Sequence, residues 1–155
     1  MEALPQRPTE IVRGLGSDPS RRSGILQWFG VGILDLGRRL PPAPEAPLTV
    51  RDRHDPRRDV TIEAGARNGL HLETPGLRFP AGRGAPLGFT ALDEQRLRSA
   101  GWQSPPAEAS EPRWWAELEG PPDVDSVACV IGVALHEVQC VGRAADLEYR
   151  PGDAP

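Results

Sequence analysis

Lysine is missing from this 155-residue chain: all 18 basic side chains are arginine, and aromatic residues make up 5% of the whole. Cysteine is scarce, with two residues, and so is histidine, with three. Residues Met1–Ser20 contain no continuous apolar stretch and do not read as an export signal. With two cysteines and no such signal, the expected compartment is the cytoplasm. A helix that spans a bilayer needs about 20 apolar residues in a row. The nearest candidate, Gly24–Leu36, is shorter and carries Gln27 and Asp35, so no membrane association is expected.

Positive charge is also lacking overall. The formal net charge of −4 works against a general phosphate-binding surface. Residues 1–100 hold 15 Arg against 12 acids, whereas residues 101–155 hold 3 Arg against 10 acids. The dense basic run Arg51, Arg53, Arg57 and Arg58 is interrupted by Asp52, Asp55 and Asp59. Interspersed signs of this kind mark a solvated strand end or hairpin, and no nucleic-acid partner is expected.

The signatures of common chemistries are missing as well. Gly82-Arg83-Gly84 lacks the third glycine and the preceding strand of a dinucleotide or phosphate loop. Nucleophilic catalysis needs a nucleophile, a base and an orienting group together. His54 lies in the charged turn and His71 on an alternating strand, neither beside a nucleophile-elbow pattern. Glu117 and Glu119 share one face of a strand, where period-2 acids usually meet solvent. No catalytic residue and no cofactor is expected.

Proline and glycine are abundant instead, at 18 and 17 residues. With Arg and Ala they share GC-rich codons, which points to a high-GC bacterial genome. Much of the Pro and Gly must lie in loops, leaving an ordered core of about 125 residues. Residues 1–22 read as a disordered tail, 23–150 as one domain and 151–155 as a C-terminal tail.

Within that domain the period of the apolar residues assigns the elements. Ile25, Leu26, Phe29, Ile33, Leu36 and Leu40 form one stripe at helical spacing, predicting a helix from a Ser23 cap to Leu40, stopped by Pro41 and Pro42. Gly30, Gly32 and Gly37 weaken it by about 1 kcal/mol each. From Leu48 the period changes to alternation: Leu48 and Val50, then Val60, Ile62 and Ala64, then Leu70 and Leu72. Gly65–Gly69 reads as the turn between the second and third strands. Residues 75–88 read as a long loop. Thr90 and Asp93 form an acidic capping box for a helix over Ala91–Ala100, and Gly101 with Trp102 suits a Schellman ending on Leu97. Trp114–Leu118 is a fourth strand, and Val124, Val127, Ile131, Leu135 and Val138 stripe a last helix over about Asp123–Val141. Leu147–Arg150 can close the sheet. The order α-β-β-β-α-β-α(-β) predicts an α+β fold, with helices packed on a mainly antiparallel sheet.

Two constellations invite a functional reading. Cys129, His136 and Cys140 lie within about 40° of one another on a helical projection. Thiolates and imidazole ligate zinc, yet Cys129 and Cys140 stand about 16 Å apart along the axis, beyond one ion or one disulfide. No metal site is expected; two buried thiols and a hydrogen-bonded histidine are. The four tryptophans are the second case. Trp28 falls off the main stripe of its helix, Trp102 is the cap residue, and Trp114 and Trp115 face opposite ways on their strand. Packing accounts for some of these, while an outward indole beside an apolar groove is a common binding feature.

The stretch Leu92–Tyr149 resembles the TY-Chap domains of actinobacteria, relatives of type III secretion chaperones and YbjN. The residues that carry the resemblance run through "L-R-S-A-G-W-Q-S-P" (Leu97 to Pro105) and "R-W-W-A-E-L-E" (Arg113 to Glu119). They continue through an Ala/Val-rich helix ending near "E-V-Q-C-V" to "D-L-E-Y". The resemblance implies a secretion-chaperone-like, non-enzymatic module that captures an extended peptide or protein segment, by strand addition at a sheet edge or in a groove. A homodimer is compatible with it. For such a surface the expected residues are Trp28, Trp102, Trp114 and Trp115, with Arg51 and Arg53 at the rim. Two competing readings are an immunity-type or structural protein that recognises one folded partner, and a metal-dependent enzyme built on Cys129 and His136.

Overall fold

The strands place alternate apolar side chains on one face of a single sheet. The computed structural model describes residues 19–40, 46–80 and 84–151. In it, β1 (Leu48–Asp52) and β2 (Asp55–Ala64) form a hairpin, β3 (Leu70–Pro75) follows, and β4 (Leu77–Arg78) with β5 (Leu87–Gly88) makes a separate two-stranded ribbon. β6 (Arg113–Leu118) and β7 (Leu147–Pro151) complete a five-stranded sheet in the order β6-β3-β2-β1-β7, antiparallel throughout. The register aligns Val60 with Val50, Ile62 with Leu48 and Leu72, and Leu72 with Ala116. One face is therefore a continuous apolar floor, while the other carries Arg51, Asp59, Glu73, His71, Arg113, Glu117 and Glu148. Gly65–Gly69 is the expected turn, closed by a hydrogen bond from the Gly65 N–H to the Gly69 carbonyl at 2.9 Å.

Helices cover the apolar face. α1 (Pro19–Phe29) and α2 (Gly32–Arg39) come first, α3 (Ala91–Ser99) follows the ribbon, and α4 (Val124–Gly132) runs into a π-helical stretch over Val133–Val138. α4 is buried all round from Val127 to Gly132, because α1 and α2 pack against it while α3 and β2 hold its π continuation. Asp123 caps it by accepting from the Ser126 N–H at 3.2 Å. α3 carries both expected end signals. Thr90 and Asp93 satisfy one another's backbone N–H groups. At the other end Gly101 adopts φ +102, which a side chain would resist, and the N–H groups of Gly101 and Trp102 reach the Arg98 and Leu97 carbonyls at 3.0 Å each.

Several sequence expectations need correcting. The first helix begins at Pro19, so Pro19–Arg22 are helical rather than tail; residues 1–18 and 152–155 lie outside the described residues. The single helix expected to reach Leu40 is two. Gly30 turns left-handed at φ +58 while its N–H closes α1 on the Leu26 carbonyl, and α2 starts afresh at Gly32. That break lets Ile25 and Phe29 from α1 and Leu36 from α2 all reach the core, and it leaves Val31 and Leu34 84% and 66% exposed. Residues 75–88, expected as loop, include the β4–β5 ribbon. The last helix ends at Val138, and Cys140 lies beyond it at φ +63, exposed, while Cys129 is buried. The charged run does form a hairpin. Its Arg58–Asp52 pair, however, is buried, and the Arg58 guanidinium also donates to the Phe79 carbonyl. Among the described residues no helix is long and apolar enough to cross a membrane.

Candidate functional site

The two edges of the sheet end differently. Beside β6, Gln103 forms an isolated bridge to Trp115, exchanging both backbone hydrogen bonds at 2.7 and 3.1 Å. Beside β7, no described strand pairs with the outer edge. A row of N–H and C=O groups in that state is a template for another strand.

A groove of about 840 Å³ runs along the helix side of this edge, between the α1–α2 break and β7. Trp28, Val31, Leu34, Leu147 and Tyr149 supply its apolar surface, and Arg38 and Arg143 stand in its wall. The pleat turns Leu147 and Tyr149 of β7 toward this side and Glu148 and Arg150 toward the other.

Trp28 is fixed in place by three contacts. Its indole N–H donates to the Gly142 carbonyl at 3.0 Å. One ring face stacks on His136 at 4.5 Å and 17°, and Phe29 meets it edge-on at 5.6 Å. His136 is itself held by its Nδ1, which donates to the Val141 carbonyl at 2.8 Å. A carbonyl only accepts, so this bond selects the tautomer with the proton on Nδ1. Tyr149 forms the opposite wall. Burial, followed by the nearby Asp35 carboxylate, pushes its phenol up to about 12 against a weaker pull from Arg39, so the hydroxyl stays neutral. The Arg39 guanidinium lies 5.1 Å from the centre of that ring.

The residues expected at a binding surface are scattered. Trp28 lines the groove. Trp102 and Trp114 are core residues, 1% and 3% exposed; the Trp102 indole donates to the Val130 carbonyl at 3.1 Å, close to where α-helical bonding in α4 gives way to π spacing. Trp114 packs with Phe89 at 6.0 Å and lies under Arg98. Trp115 lies on the opposite face of the sheet, 37% exposed, at the β6 edge beside His71. Arg51 pairs with Glu148 across β1 and β7, and Arg53 with Asp146 at 3.2 Å. Both arginines therefore sit near the β7 edge, but Arg51 is on the sheet face away from the groove.

Val31, Leu34, Arg143 and Arg150 were not singled out from the sequence. Val31 and Leu34 did carry a signal, since they are apolar residues off the helical stripe that runs from Ile25 to Leu40. A second concavity of about 350 Å³ lies by Phe79, Pro112 and Arg113, but Arg113 is committed there to Asp59 and Glu73 at 3.2 Å each. Among the described residues no group of three His, Cys, Asp or Glu side chains could hold a metal ion.

No characterised protein and no solved structure matches the chain. Residues 35–152 match a family described as T3SS (YopN, CesT) and YbjN peptide-binding chaperone 3, a span that takes in every sheet strand and the β7 wall of the groove while starting just after Leu34. The chain thus belongs to the TY-Chap3 family of peptide-binding chaperone domains.

Proposed function

We propose that the protein is a non-enzymatic chaperone-like module that captures an extended segment of a peptide or protein by adding it as a strand to β7. The observation that carries this reading is the outer edge of β7, which no described strand pairs, running beside a groove with Val31 and Leu34 exposed. Strand addition draws affinity from main-chain hydrogen bonds and specificity from pockets that take alternate side chains. Both parts lie side by side here. The histidines support a role without catalysis, because each is engaged structurally. His54 faces Asp146, His71 faces Glu73 and Glu117, and His136 holds the Val141 carbonyl.

Hydrogen exchange during titration with a panel of extended apolar peptides tests the reading. A binder is expected to protect the amides of β7, and Leu34→Asp is expected to abolish that protection. Protection appearing along β6 or at the Trp115 face, with β7 unchanged, would move the site to the other edge.

A further inference from the structure

The charge around the β7 edge runs against that of the chain. The whole molecule carries −4, yet Arg38, Arg39, Arg143 and Arg150 all stand at this edge. Arg38 and Arg39 share one carboxylate, Asp35, at 3.7 and 3.2 Å. Among the described residues, the other acids close by are already engaged: Asp146 with Arg53 and His54, Glu148 with Arg51. Arg143 and Arg150 have no ion-pair partner among the described residues and are exposed. A cationic seam on an anionic protein attracts a segment of the opposite sign.

Strand geometry turns this surplus into a sequence pattern. Residues directly opposite on neighbouring strands project from the same face of a sheet. A segment paired to β7 would set its residues opposite Leu147 and Tyr149 on the groove side, against Val31, Leu34 and Trp28. Its residue opposite Arg150 would project from the other face and meet that guanidinium, and its flanks would meet Arg143 and Arg38. We infer that the natural ligand of this edge is an extended acidic segment in which apolar residues alternate with Asp or Glu. The inference rests on the reading of β7 as the docking strand and adds to it the chemistry of the partner. A second copy of the chain would bring the same arginines to the seam with its own Asp146 and Glu148 already paired to Arg53, His54 and Arg51, whereas a separate acidic segment neutralises them.

The test uses two short fluorescent peptides, one alternating Val and Glu and its counterpart alternating Val and Gln, titrated into the whole protein at low and high salt. The Val/Glu peptide is expected to bind about tenfold more tightly at low salt, the sum expected of a few exposed ion pairs. That advantage should shrink as salt shortens the screening length. The double variant Arg143→Glu/Arg150→Glu should lose the preference and favour a Val/Lys peptide instead. Circular dichroism would check that the variant is folded. Equal affinity for both peptides, lost in both cases with Leu34→Asp, would overturn the acidic specificity and leave strand docking in place. Failure of all the peptides to bind would overturn docking and specificity together. A dimer in sedimentation that Arg143→Glu/Arg150→Glu dissociates would make the seam a self-interface and overturn the acidic segment as its occupant.

Discussion

The β6 and β7 edges of one sheet contrast a strand closed at one bridge, Gln103 to Trp115, with one that no described strand meets. At β6 the chain after α3 folds back: Gly101 reverses it, Trp102 plugs the core, and Gln103 takes up both hydrogen bonds of Trp115. At β7 the strand is short and ends in Arg150-Pro151, devices that discourage indiscriminate pairing of a free edge. Discouragement alone does not explain the groove. A blunted edge has no need of an adjoining apolar trough with two exposed aliphatic side chains, or of an indole locked between His136 and the Gly142 carbonyl. Core residues thus bring Gln103 against one edge, while surface apolar residues furnish the other.

Substitutions at the two anchoring tryptophans should separate these roles, with the largest effect on the closed side. Trp102→Ala removes a fully buried indole and its hydrogen bond to Val130, and should cost about 3–5 kcal/mol in urea denaturation. Trp28→Ala removes a half-buried ring and one hydrogen bond, and should cost about 1–2 kcal/mol. The second variant should also lose peptide binding while folded. Equal costs at the two positions would break the distinction between a structural and a functional edge.

The closed edge was legible in advance because its signals are local. The capping box, the Schellman glycine and the opposite-facing Trp114–Trp115 pair each depend on neighbours a few residues away. Strand alternation likewise carries the sheet and its α+β class. The open edge was not legible, for two physical reasons. Which of Gly30, Gly32 and Gly37 breaks the helix depends on tertiary packing of Ile25, Phe29 and Leu36, since any of the three can turn left-handed. And the groove joins Trp28–Leu34 to Gly142–Tyr149, segments more than a hundred residues apart whose meeting no periodicity encodes. Trp28 falls off the buried stripe of the Ile25–Leu40 pattern, and so do Val31 and Leu34, its neighbours in the groove.

Proton concentration offers a subtler way to set the edges apart. His71 on β3 contacts Glu117 on β6 as well as Glu73. Burial would lower its pKa, but hydrogen bonds and charge from Glu117 and Glu73 outweigh this and raise it. A raised folded-state pKa means that the protonated ring stabilises the fold in full below the unfolded value of about 6.5. The contribution is lost as pH rises through the raised value. The β3–β6 side should therefore weaken on going from mildly acidic to mildly alkaline solution, while the middle of β7, which pairs with no histidine on β1 and has His54 only beside Asp146 at its start, should change less. Amide exchange at β6 and β7 against pH checks this, and His71→Gln should flatten the β6 response. A parallel change at both edges would trace the pH dependence to some other group.

The smallest stability change is the most informative. Leu34 is 66% exposed on α2, so Leu34→Asp removes little packing and should leave the urea midpoint within the equivalent of about 0.5 kcal/mol. A merely structural account of the groove predicts nothing more. If the groove receives alternate side chains of a docked strand, the carboxylate lands where an apolar residue must be buried, and taking it out of water costs more than the packing it replaces even with Arg38 one turn along the helix. Peptide affinity should then fall at least about tenfold while stability stays level. Leu92 supplies the control: it is 51% exposed on α3, outside the groove lining, and Leu92→Asp should alter neither quantity. Equal loss of binding in both variants would mean that added negative charge repels the peptide at long range, and raising the salt would then restore it in both. Loss confined to Leu34→Asp, persisting in high salt, would locate the occupant's side chain against α2 and fix the open edge as the working one.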